Sequence, residues 1–181
     1  DWRVISVFEA VSQAVGTTVT PDTGEEDLRS LCAQHHLTPP PGANCGTLLG
    51  TLYDELVEAR TVKPTFYCDF PVESSPLTRR HRTDPRLAER WDLVAFGMEL
   101  GTAYSELTDP RDQRERFTQQ SLAAAAGDPE AMSLDEDFLN CLELGMTPLG
   151  GLGLGMDRMA MMLLGCDIRQ VLAFPFVKPR N

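Results

Sequence analysis

Histidine is scarce in this 181-residue sequence, and its cysteines do not pair by spacing. Only His35, His36 and His81 are present, and the five cysteines (Cys32, Cys45, Cys68, Cys141, Cys166) contain no C-x-x-C pair. A histidine-based triad or metal cage is therefore hard to build, and adjacent His35 and His36 point in different directions on a helix. An odd count of scattered cysteines argues against a disulfide framework or a zinc site, and for reduced thiols in a cytosolic setting. Long apolar runs are missing too. The longest near the end is MAMMLL at 159–164, far short of the roughly 18–20 residues that span a bilayer. The N-terminal DWRVISVFEA lacks the pattern of a signal peptide. Basic residues are outnumbered 16 to 27, giving a net charge of −11. Such a chain has no long-range attraction for nucleic acid or anionic lipid, so any grip on a polyanion is expected to lie elsewhere.

What remains is a globular composition, 42% hydrophobic and 24% charged, with length for one domain and its core. Apolar residues at 4, 7, 8, 11 and 15 predict a helix over 3–15, stopped by Gly16. Helices are also predicted over 25–36 and 47–60, separated by the rigid break Thr38-Pro39-Pro40-Pro41-Gly42. FYCDF at 66–70 reads as a strand ended by Pro71. WDLVAF (91–96) and ELGTAY (99–104) read as a hairpin turning at Gly97-Met98. A long helix is predicted from Pro110, with Asp109 as its N-cap, to Gly127 as its C-cap. A second is predicted from Leu134 to about Leu144, with start signals at Ser133 and Asp135. A glycine-rich strand (149–155), a helix (157–164), a helical turn near 168–171 and the apolar VLAFPFV complete the chain. Strands scattered among helices with hairpin connections indicate an α+β fold.

Three features carry chemistry. Gly150-Gly151-Leu152-Gly153-Leu154-Gly155-Met156-Asp157-Arg158 is neither a Walker loop nor a dinucleotide fingerprint. Alternating glycines bare one face of a strand so that a flat ligand can lie on backbone. Asp157 is placed to cap the following helix, and Arg158 to meet a phosphate from its first turn. The second feature is acidic: Asp92, Glu99 and Glu106 fall seven residues apart. A Gly97-Met98 turn sets Asp92 opposite Ala103 and puts Asp92 and Glu99 on one face, where two carboxylates could hold Mg²⁺ shared with a polyphosphate. Glu106 then has the opposite parity and joins them only through a bulge or the strand end. Pairing of Asp92 with a nearby arginine is the plain structural alternative. Thr102 and Tyr104 share parity with Glu106 and would make a pocket for an ammonium group. The third feature is the run Arg79, Arg80, His81, Arg82, Arg86 and Arg90. It reads either as a solvated loop and helix start or as a phosphate-facing loop.

Four segments taken in order resemble the class II lysyl-tRNA synthetases: PTFYCDFPVESSPLTRRHR (64–82), AERWDLVAFGMELGTAYSELTDPRDQRERF (88–117), AGDPEAMSLDEDFLNCLELGMTPLGGLGLGMDRMAMMLL (126–164) and IRQVLAFPFVKPR (168–180). The glycine strand with Asp-Arg matches that class's motif 3. Asp92, and Gly-Thr-Ala-Tyr where most of the lysine enzymes have Asn-Ala-Tyr, bring the chain nearest to synthetases fused to a membrane lysyltransferase that lysinylates phosphatidylglycerol. The resemblance implies a class II antiparallel sheet flanked by helices, incomplete and carrying the motif 3 half. Residues 1–63 would be a helical insertion region, and 64–181 the C-terminal half of the catalytic core.

It further implies an ATP-dependent lysine–tRNA ligase that forms lysyl-adenylate and passes lysine to tRNA(Lys), acting as a homodimer in the full-length protein. Asp92 and Glu99 would bind Mg²⁺ with ATP. Glu106 and Tyr104 would hold the lysine ε-ammonium, and Thr102 would contact the amino acid. Gly151, Gly153 and Gly155 would floor the adenosine site, with Arg158 on the γ-phosphate; Arg158 and Glu99 would be the catalytic groups. The setting would be cytoplasmic, or membrane-associated in a lysyltransferase fusion. No segment of the 181 residues resembles motif 1, the motif 2 hairpin or the anticodon-binding barrel, so tRNA(Lys) would be held mainly by upstream sequence and the isolated chain is expected to be inactive. Two alternatives stand beside this reading: a truncated paralogue serving as a binding or regulatory module, and a paralogue that attaches lysine to a protein.

Overall fold

The computed structural model describes residues 1–125, 127 and 131–176. The parts of the long helix and of the 126–164 segment at 126 and 128–130, and the end of VLAFPFVKPR from Val177 on, lie outside the described residues.

The first predicted helix divides in two. Residues Arg3–Ser6 form strand β1, and helix α1 covers Val7–Val15. Val4 fits the helical spacing, but β1 pairs in parallel with strand β2, Thr65–Cys68, from Arg3↔Thr65 to Ser6↔Cys68. Ser6 then caps α1 by accepting the Glu9 N–H at 3.1 Å. That Ser-x-x-Glu spacing is a helix-start signal legible in the sequence. Helix α2 (Glu25–Gln34) and helix α3 (Cys45–Leu56) follow, α3 capped by Asn44, and a 3-10 turn covers Glu58–Arg60.

Strands β3 (Arg90–Ala95), β4 (Met98–Ser105) and β5 (Gly150–Leu154) complete a five-stranded sheet in the order β1-β2-β3-β4-β5. It is mixed, not purely antiparallel: the β1–β2 pair is parallel and the other three pairs are antiparallel. Helices α4 (Pro110–Ala125), α5 (Glu136–Glu143), α6 (Met156–Leu164) and α7 (Ile168–Val171) lie along the C-terminal half. Asp109 accepts the Arg111 N–H at 2.9 Å at the start of α4, and Asp135 caps α5. Helix α6 starts one residue earlier than predicted, with Gly155 at its N-cap, so Asp157 sits in the first turn and is not the cap.

The core lies between α1–α3 and the β1–β3 part of the sheet. Val11, Leu48, Leu49, Leu52 and Val94 are fully buried there, with Leu28, Cys32, Tyr67 and Phe70 around them. A second anchorage ties α4 to the loop before β3. Arg116 donates to the Ser75 and Thr78 carbonyls at 3.0 and 2.6 Å, and Gln113 donates to the Pro76 carbonyl at 2.9 Å. Asp112 joins Arg116 to Arg80. Burial opposes ionisation of Asp112, but hydrogen bonds from Arg116 and Arg80 outweigh it and hold the carboxyl below its usual range. The far end of the sheet is bare by contrast: Leu152, Met156, Leu163, Leu164 and Phe174 are exposed, and α6 has no buried residue.

Candidate active site

The site is built by a turn and a bulge. The β3–β4 turn is Phe96-Gly97, not Gly97-Met98, since Ala95 pairs with Met98. Both turn residues have positive φ, 54° and 71°, the backbone that a tight two-residue hairpin requires. The tip is docked on the segment after α3: Phe96 N–H donates to the Val62 carbonyl and Gly97 N–H to the Thr61 carbonyl at 2.8 Å. A side chain at Gly97 would press on the Ala59 carbonyl at 3.0 Å. Val94 pairs with Glu99 but Leu93 pairs with Gly101, so Leu100 is an extra residue on β4. That bulge reverses the parity of everything beyond it. Asp92 therefore lies opposite Thr102, not Ala103, and Glu99, Thr102 and Tyr104 all share the face of Asp92.

Strand β5 adds its bare side to the same face. Gly153 pairs with Thr102 and Gly151 with Tyr104. The Glu106 carboxylate, just past β4, lies over Gly151 so closely that a methyl group there would overlap its Oε1, with the Tyr104 ring beside it. Thr78 bridges to Glu106, and Leu107 N–H donates to the Leu77 carbonyl at 2.9 Å, so the loop anchored by Arg116 fixes this end of the strand. Burial raises the Glu106 carboxyl above its ordinary value. Arg158, from the first turn of α6, packs across Gly155 and donates to the Glu99 carbonyl at 2.7 Å, with its guanidinium 3.6 Å from the Glu99 carboxylate. The sheet thus gathers Asp92, Glu99, Thr102, Tyr104, Glu106, Gly151 and Gly153 on one face, with Gly155 and Arg158 at its end.

The two expected metal ligands differ. Both Asp92 oxygens are taken: Arg90 grips them bidentately at 3.0 and 2.6 Å, and Thr102 donates to Oδ1 at 2.5 Å. Asp92 is 3% exposed, and the Arg90 guanidinium is stacked 4.3 Å from the Phe70 ring centroid. Asp92 as folded presents no open oxygen to a cation, whereas the Glu99 side chain is 32% exposed. Among the described residues no group of three or more His, Cys, Asp or Glu forms a metal cage. Mg²⁺ needs only one or two protein carboxylates when phosphate supplies the rest, so the residues fit an ion carried in by a phosphate ligand and met at Glu99.

Sequence reasoning named Arg90 only within the basic run, with an arginine pairing of Asp92 as the structural alternative, and missed Tyr53 and Glu58; Arg90, Tyr53 and Glu58 come together here. They line, with Asp54, Asp92 and Glu99, a cleft of about 550 Å³ between α3 and the sheet. Arg90 was legible, since opposite charges two apart on a strand share a face. Glu58 was not, being 41 residues from Glu99, whose N–H it accepts at 3.2 Å. Burial, then the neighbouring Asp54 charge, raises the Glu58 carboxyl. Much of the basic run is ion-paired: Arg82 meets Glu89, Arg86 meets Asp84 and Asp22, and Arg80 meets Asp112. No helix starts there.

Residues 1–178 match the family described as tRNA synthetases class II (D, K and N). The chain is 58% identical over 180 residues to the lysylphosphatidylglycerol biosynthesis bifunctional protein LysX of Nocardia farcinica, covering 99% of this chain and 16% of that protein. The proteins of the same name from Gordonia bronchialis and Mycobacterium tuberculosis are 55% and 54% identical, over 100% and 98% of this chain and 16% and 15% of their own length. The chain therefore spans about one sixth of the curated relatives it matches. No helix among the described residues is long and apolar enough to cross a membrane.

Proposed function

The chain belongs to the class II tRNA synthetases (D, K and N), and from that premise we propose that it is the motif 3 half of a lysine-activating catalytic core. In this reading residues 64–181 are the C-terminal half of the core and residues 1–63 the insertion that precedes it. The parent protein joins the lysine carboxylate to the α-phosphate of ATP as lysyl-adenylate with release of pyrophosphate, passes the lysyl group to tRNA(Lys) with release of AMP, and supplies lysyl-tRNA for lysinylation of phosphatidylglycerol, the lipid in its relatives' printed name. The observation that carries the proposal is the shared sheet face, where Glu106 and Tyr104 stand over Gly151 beside Thr102.

Each residue then has a task. Glu106, with Tyr104, pairs with the lysine ε-ammonium, and its partly desolvated carboxylate favours a cation over a neutral side chain. Thr102 faces the amino acid, with its hydroxyl proton already committed to Asp92. Gly151, Gly153 and Gly155 let the adenosine lie against backbone. Arg158 meets the γ-phosphate from the start of α6. Glu99 would hold Mg²⁺ brought with ATP, and Asp92, whose oxygens Arg90 and Thr102 occupy, would stand behind it as a buried negative charge and not as an open ligand. When bound, the ion would offset charge building on the phosphates. No protein nucleophile is required, since catalysis is electrostatic and positional. Motifs 1 and 2, the anticodon-binding barrel and the homodimer interface are assigned to other parts of the parent protein.

Lysine-dependent ATP–pyrophosphate exchange by the full-length parent tests the proposal. Glu106→Gln is expected to raise the KM for lysine about 10- to 100-fold, the worth of a hydrogen bond to a charged group. The 181-residue chain alone is expected to give no exchange. Exchange driven equally well by a neutral amino acid, or an unchanged lysine KM in Glu106→Gln, would sink it.

A further inference from the structure

We propose that Glu58 is a positioning residue for Glu99, holding its main chain in the bulged conformation that turns the carboxylate toward the phosphate side of the site. This deepens the reading of Glu99 as the Mg²⁺- and phosphate-facing carboxylate and rests on it.

Glu99 pairs with Val94 beside the bulge residue Leu100 and lies beyond the last β4–β5 pair, Gly101↔Leu154, so its backbone groups on that side have no strand partner and need others. At Glu99 both are met by side chains from other elements. The N–H donates to Glu58 Oε1 at 3.2 Å, and the carbonyl accepts from Arg158 Nη1 at 2.7 Å. The neighbouring tip residues are held differently, since Phe96 and Gly97 donate to the main-chain carbonyls of Val62 and Thr61. Those contacts fix the turn whatever side chains the 58–62 segment carries. The contact at Glu99 depends on the identity of residue 58.

Placing a carboxylate there carries an electrostatic cost, since Asp54, Glu99 and Asp92 all surround it with like charge. Attraction between side chains does not explain the position, whereas a hydrogen-bond acceptor aimed at one N–H does. The consequence is directional. Loss of the acceptor loosens the Glu99 end of β4 and leaves Thr102, Tyr104 and Glu106 in place, because Arg116 and the 75–80 loop secure that end independently. Nucleotide handling therefore suffers and lysine selection does not.

The test uses the full-length parent protein with Glu58→Ala, Glu58→Asp and Glu58→Gln, read in two ways. Amide hydrogen exchange at Glu99 is expected to speed about fivefold in Glu58→Ala, the worth of one hydrogen bond, and to stay near the natural rate in Glu58→Gln, whose carboxamide oxygen still accepts. Glu58→Asp keeps the charge but draws the acceptor back by one methylene, so it is expected to behave as Ala does; it also serves if Glu58→Ala does not fold. In pyrophosphate exchange, Ala and Asp are expected to raise the KM for ATP about fivefold with the lysine KM within about twofold, and Gln to restore the ATP KM. Unchanged Glu99 protection in Ala and Asp overturns the proposal. So do a Gln variant as impaired as Ala, or ATP and lysine KM values rising together. A parent with no lysine-dependent exchange defeats the functional reading alone, and the amide-exchange arm then decides the role of Glu58.

Discussion

One face of one sheet is put to two uses. Over β1–β3 it is roofed by α1–α3, and its residues, such as Val94 and Tyr67, are buried against Leu48, Leu49 and Leu52. Over β4–β5 the same face carries glycines and half-exposed polar groups, and Leu152 and Leu154, on the other side of β5, are open to solvent. The first region is where burial of apolar area stabilises the fold; the second trades that stabilisation for backbone a ligand can reach. Asp92 sits at the seam, buried like a core residue but charged like a site residue, and only Arg90 and Thr102 reconcile the two.

The comparison breaks most sharply at that seam. Arg90→Ala leaves a buried carboxylate without its partner, and about 3–5 kcal/mol of stability should be lost in denaturant unfolding; a loss under about 1 kcal/mol would mean that Asp92 is not part of the covered region. Next in size is a matched pair of truncations. Leu52→Ala under α3 should cost about 2–5 kcal/mol, whereas Leu152→Ala on β5 should stay within about 0.5 kcal/mol. Equal costs would show that β5 is packed as the core is. The smallest stability effect belongs to Gly151→Ala. Its methyl group displaces only the mobile end of Glu106, so unfolding should shift by less than about 1 kcal/mol. Lysine KM in the parent protein should nevertheless rise at least about tenfold, and an unaltered lysine KM would separate Gly151 from the proposed pocket.

Much of the fold was legible locally. The caps at Asp109 and Asp135, Gly155 bounding the glycine strand, and the α+β mixture follow from short-range chemistry that adjacent residues decide among themselves. Two errors have the same cause. Residues 3–6 fit a helical face, yet became a strand because β2, about sixty residues away, offered a parallel partner. The hairpin turn was misplaced by one residue because Phe96 carries a positive φ, which a bulky side chain seldom adopts and which docking on Thr61 and Val62 supports here.

The carboxylates show the same division. Their types and their spacing of seven are properties of the sequence, as are the alternating glycines and the Asp-Arg that follows them. Spacing alone left Glu106 on the wrong side, and only the extra residue at Leu100 brought it to the face of Asp92 and Glu99. Local preference determines which residues are available to a site, because it acts through neighbours in the chain. Which of them meet depends on register, bulges and distant hydrogen bonds such as Glu58 to Glu99, and those are settled only when the whole sheet closes.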